Sequence, residues 1–113
     1  MLQKRRSVRA VHLRAPVFAA LGDDTRLTLV ARLSDGRPYS ISRLTRGSHL
    51  TRQAITKHLR VLENVGIVRS VRSGRENQFE LDPRPIADMK EYLDHVSAQW
   101  DRALARLKAF VEE

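Results

Sequence analysis

The chain has 113 residues, 42% of them hydrophobic, and a net charge of +8 at neutral pH. This suits one domain built on one core, and with only six aromatic residues that core must be aliphatic. The absence of cysteine excludes disulfides, zinc–cysteine sites and a thiolate nucleophile, and no run of about 18 apolar residues is present to form a transmembrane helix.

Residues 1–14 carry five Lys/Arg and no acid. Lys4, Arg5, Arg6 and Arg9 read as a basic arm able to follow a nucleic-acid backbone. The stretch lacks the apolar centre of a secretory signal, so a cytoplasmic location is expected. Residues 15–113 form the domain proper. APVFAAL (15–21) predicts a short apolar helix with Pro16 in its first turn. In GDDTRLTLVARLSDG, Asp23 or Asp24 can cap a second helix that turns Leu27, Leu29, Val30 and Leu33 inward, and Ser34-Asp35-Gly36 ends it. Pro38 and Tyr39 read as a connector. Ile41 to Arg46 predict a short helix, followed by the turn Gly47-Ser48-His49.

The next stretch, TRQAITKHLRVLENVGIV (51–68), sorts without exception on a helical wheel of 100° per residue. Ile55, Leu59, Leu62, His58 and Val65 share one half, with Ala54 and Val61 at its edge. Arg52, Gln53, Thr56, Lys57, Arg60, Glu63 and Asn64 share the other. Thr51 can accept a hydrogen bond from the first turn, Leu50 and Ile55 stand at staple positions, and Gly66 suits the left-handed residue past the helix end. A solvated amphipathic helix would explain this wheel. It would not explain why Arg37 to Arg75 holds nine Lys/Arg and a single acid, Glu63.

Beyond Gly66 the period changes. IVRSVR (67–72), the turn SGRE and NQFEL (77–81) predict a β-hairpin with a basic tip. Asp82-Pro83 closes it, and a long helix follows over 85–113. Its Ile86, Met89, Leu93, Val96, Trp100, Leu104, Leu107 and Val111 recur at steps of three and four, which is a heptad-like seam. The expected fold is therefore mainly α with a small β-hairpin: a winged helix-turn-helix with a long C-terminal dimerisation helix. An amphipathic helix carrying a cationic face suits the major groove, so double-stranded DNA is the expected partner. A membrane surface is not, because no segment joins a basic face to a large apolar face free to insert.

FAALGDDTRLTLVARL, TRQAITKHLRVLENVGIV and RSGRENQFELDP together make the chain resemble the arsenic-repressor (ArsR/SmtB) class of winged-helix transcription regulators, over nearly its whole length from Pro16. The resemblance implies a homodimer that binds a two-fold operator and represses, with its first and last helices at the dimer interface. Phe18, Leu93, Val96, Trp100, Leu104, Leu107 and Val111 would then form that interface. Metal-sensing members use a cysteine pair on the short helix, which is ISRLTR here, or spaced Asp and His ligands on the last helix. Asp94 and His95 are adjacent and point about 100° apart, so the chain resembles the non-metal branch, with no metal and no cofactor.

The expected DNA-contacting residues are Thr51, Arg52, Gln53, Thr56, Lys57 and Arg60 on the helix, and Arg72, Ser73, Gly74, Arg75 and Asn77 on the wing. Arginine can grip guanine and glutamine adenine with paired hydrogen bonds, while a wing touches phosphate or the minor groove. His58, on the apolar side, reads as a hydrogen-bonded core histidine, and His12, His49 and His95 share no ligand spacing. No nucleophile–base pair or phosphate loop stands out, so an enzyme is not expected. Two other readings use the same fold: a non-specific architectural nucleic-acid binder, and a winged-helix module that binds protein. The effector is unknown.

Overall fold

The structure, a computed structural model, describes residues 13–112. The basic residues Lys4, Arg5, Arg6 and Arg9, and His12, lie outside the described residues. Helix α1 covers residues 13–21, so Leu13 and Arg14 are already helical, before the expected start at Ala15. The reason is tertiary: the Arg14 guanidinium makes two 3.1 Å bonds to Asp88 and lies 5.0 Å over the Tyr92 ring, both far along the chain.

Helix α2 spans Asp24–Leu33, capped by Asp23, whose carboxylate accepts the Arg26 N–H at 3.0 Å. That bond, with the nearby Arg26 charge, keeps the Asp23 carboxyl below its ordinary pKa. Leu29, Val30 and Leu33 are buried as expected, but Leu27 is 54% exposed. Positions 27 and 29 stand about 200° apart on a helix, so both cannot face one core.

The Pro38-Tyr39 connector contains more than expected. Tyr39–Ser40 form a two-residue strand, β1, that adds to the hairpin of β2 (Val68–Ser73) and β3 (Glu76–Leu81). The sheet order is β1-β3-β2, all antiparallel, with Ser40 opposite Gln78 and Tyr39 opposite Phe79. Ser40 then caps helix α3 (Ile41–Thr45), its hydroxyl accepting the Arg43 N–H. One residue thus joins the sheet to the helix-turn-helix.

Helix α4, Arg52–Asn64, has both of its expected ends. Thr51 Oγ1 accepts the Ala54 N–H at 3.1 Å. At the far end Gly66 has φ +81°, its N–H donates to Glu63 O, and the Ile67 N–H donates to Leu62 O. This is a Schellman closure, and its usual apolar contact is supplied by Leu62 and Ile67, both fully buried. The core gathers Leu29, Leu33, Leu44, Ile55, Leu59 and Leu62 around Ile67, Val68 and Phe79. Each such side chain contributes on the order of 1.5–3 kcal/mol by leaving water.

Helix α5 spans Pro83–Glu112, 30 residues, or about 45 Å at 1.5 Å per residue. Its start is fixed by Asp82, a buried residue whose carboxylate accepts the Arg84 N–H at 3.1 Å and the guanidinium at 2.6 Å. The Arg84 side chain, then its N–H, holds the Asp82 pKa at about 2. A carboxylate depressed in the folded state stabilises the fold above its unfolded pKa, near 3.8, and the contribution is lost as pH falls through about 2. Arg84→Ala should move the Asp82 titration up toward 3.8, with the backbone bond, burial and the Arg69 charge still acting on it. A carboxyl chemical-shift titration reads this directly, and an unchanged midpoint would contradict it.

Candidate nucleic-acid interface

Two surfaces stand out from the fold. The first is the outer face of α4 with the hairpin tip. Thr51, Arg52, Gln53, Lys57 and Arg60 are exposed, and Thr56 is half-buried. Among the described residues the Arg52, Gln53 and Lys57 side chains make no hydrogen bond, so they can be spent on a ligand. Thr56 differs, because its hydroxyl donates to Arg52 O at 2.7 Å. Arg60 also differs: it is ion-paired to Glu63 at 2.7 Å and lies 5.8 Å over the Phe79 ring.

The wing turns on two residues, Gly74 and Arg75, between the paired Ser73 and Glu76. Gly74 has φ +61° and no non-glycine residue has positive φ among the described residues. A glycine in the first central position is what a type II′ hairpin turn asks for. Arg72, Ser73, Gly74, Arg75 and Asn77 are all exposed there. The sheet brings this tip back over the start of α4. Arg52 and Arg75 line one cleft of about 250 Å³ with Ser40, Ser42, Asn77 and a single acid, Glu76. Cationic and hydrogen-bonding residues outnumber the one acid in this lining, a composition that suits an anion such as a phosphodiester. Ser40 and Ser42 have no local signal in the sequence; the β1–β3 pairing brings them here.

Elsewhere the basic stretch is partly neutralised, with Arg69 paired to its cross-strand neighbour Glu80 at 2.8 Å. His58 is half-buried rather than fully buried. Its Nδ1 lies 3.2 Å from Arg26 Nη1 and 3.7 Å from an Asp23 oxygen, while Arg26 also donates to Ala20 O. The three residues tie α4 to the end of α1 and the cap of α2. Among the described residues no three His, Asp or Glu side chains gather as a metal-ligand set.

The second surface runs along α5. Met89 is its only buried residue among those described, and Ile86 packs on the core beside it. Further along the same stripe Leu93, Trp100, Leu104, Leu107 and Val111 are 51–75% exposed. Val96 is half-buried. Phe110, outside the expected seam, adds to the exposed set, as does Leu13 on α1. Phe18 is already partnered within the chain, 6.1 Å from Tyr92 between ring centroids.

Residues 23–70, from the cap of α2 into β2, match the model of the bacterial regulatory protein arsR family. The HTH-type transcriptional regulator Rv2034 of Mycobacterium tuberculosis is 35% identical over 87 residues, covering 77% of this chain and 78% of that protein. The chain belongs to the ArsR family. An ArsR-like transcriptional regulator from Rhodococcus sp. RHA1 superposes with a TM-score of 0.77 at 36% identity, over 88% of this chain and 92% of that one. The homodimeric winged helix-turn-helix DNA-binding domain Mb0332 of Mycobacterium bovis shares the fold, with a TM-score of 0.65 at 18% identity over 83% of this chain and 86% of that one. This ArsR-family chain is thus a transcriptional regulator with a winged helix-turn-helix DNA-binding domain. Among its described residues no helix is long and apolar enough to cross a membrane.

Proposed function

We propose that the chain is a homodimeric repressor that binds a two-fold operator, with α4 reading the major groove and the 72–77 wing gripping the flanking backbone. The observation that carries this reading is the shared cleft. Arg52 at the start of α4 and Arg75 at the wing tip line the same opening, so one stretch of duplex can meet both. Family membership supports operator binding, and the homodimeric Mb0332 domain supports the assembly. Repression and a site within the bacterial cell follow the family's usual role.

Titrating the chain with its own upstream DNA and with scrambled DNA, at several salt concentrations, tests the reading. A specific repressor should prefer its own sequence by roughly a thousandfold or more, with affinity falling steeply as salt rises. Equal affinity for both DNAs would favour an architectural binder instead.

A further inference from the structure

Glu63 is the one acid between Arg37 and Arg75. A carboxylate on a face meant for DNA repels phosphate, so Coulomb's law alone would discard it. Its surroundings show what it does instead. It sits near the end of α4, mostly covered, with its side chain 28% exposed. Oε1 accepts Arg60 Nη1 at 2.7 Å, and Oε2 accepts the Ser70 hydroxyl at 2.5 Å. Arg60 in turn lies over Phe79, the fully buried residue of β3. Ser70 and Phe79 face each other across the hairpin as register partners. The chain of contacts therefore runs from β2 through Ser70, Glu63 and Arg60 to β3, and both anchors are on one rung of the wing. The Ser70 hydroxyl and the Arg60 guanidinium also favour the ionised form of Glu63, so the acceptor stays charged.

We propose that Glu63 is a positioning residue that fixes the angle between the wing and α4, and that specific operator binding depends on this brace; the proposal rests on the DNA-reading role given above. Arg60, expected from the sequence to touch DNA, belongs to the brace. The leverage is geometric. The tip residues Gly74 and Arg75 lie just past the Ser73–Glu76 rung, three rungs beyond Ser70, or roughly 10–13 Å at 3.4 Å per residue. A tilt of about 10° at the brace moves the tip by about 2 Å, more than a hydrogen bond tolerates.

Charge and brace predict opposite signs for Glu63→Gln. If Glu63 acts only through its charge, removing it strengthens binding to every DNA. If it is a brace, affinity for the chain's own upstream DNA falls roughly three- to tenfold, because neutral bonds replace charge-assisted ones, and affinity for scrambled DNA falls with it, because the tip contact reads no base. Ser70→Ala, which changes no charge, should move operator affinity in the same direction and serves if Glu63→Gln fails to fold. The decisive readout is the cycle with Arg75→Ala. Once the tip contact is gone its placement no longer matters, so the Glu63→Gln penalty should shrink toward nothing. Tighter or unchanged operator binding by Glu63→Gln, or penalties that simply add, would overturn the brace. A wild-type chain with no preference for its own upstream DNA would overturn the reading beneath it, and the brace with it.

Discussion

The wild type is expected to sediment as a dimer at micromolar concentrations where Leu104→Asp should be monomeric, and Trp100→Ala should weaken the dimer strongly. The length of α5 is the starting point. Full burial along the helix ends at Met89 and Tyr92 packs on Phe18, yet the apolar stripe continues to Val111 with Leu93, Trp100, Leu104 and Leu107 at least half exposed. A contiguous apolar surface of that kind is costly to leave in water. In a two-fold dimer every substitution acts twice. Burial of one Leu or Trp contributes roughly 1.5–3 kcal/mol, and an aspartate adds the cost of dehydrating a charge. A loss of about 4 kcal/mol per dimer is roughly a thousandfold in dissociation constant. Phe18→Ala should do less, because Phe18 already packs on Tyr92 of its own chain. Sedimentation of Leu104→Asp as a dimer of wild-type affinity would remove α5 from the interface.

Arg52→Ala and Gln53→Ala should each cost about 1–3 kcal/mol per half-site and relax preference at particular base pairs. Both residues sit in the first turn of α4, exposed and without a side-chain hydrogen bond among the described residues. A dimer sets two such helices in successive major grooves, so the operator should be an imperfect palindrome with half-sites about one helical turn, or a multiple of one, apart. Arg75→Ala should instead weaken all sequences alike and flatten the salt dependence, since a phosphate contact releases counterions but reads no base. Binding of the three variants to a base-substitution series at several salt concentrations separates the roles. Uniform loss in the helix variants, with altered base preference in Arg75→Ala, would reverse the groove assignment.

Much of the fold is legible from local chemistry. Thr51 and Gly66 bracket α4, the wheel separates its buried Ile55, Leu59 and Leu62 from its exposed cations, and the shift to β-branched residues after Gly66 marks the wing. What stays hidden depends on contacts distant in sequence. β1 has two residues, too few for any period, and exists because β3 offers it an edge. Arg14 is helical through Asp88 and Tyr92, which lie more than 70 residues away. Within the candidate site, a wheel can show that Arg60 faces outward. It cannot show that Glu63 and Phe79 already occupy it.

The exposed stripe also holds the chain's only tryptophan, Trp100, 64% open to water. Its indole is therefore a built-in optical probe. Emission from an indole in water shifts to shorter wavelength when an apolar partner covers it, so a simple dilution series follows self-association with no label attached. The groups proposed to read DNA are on α4 and the wing, elements that contain no tryptophan, and duplex binding is visible by anisotropy of a dye on the DNA. Two colours in one cuvette can then report pairing of the chain and occupancy of its operator as separate curves, and any offset between them measures how strongly one drives the other.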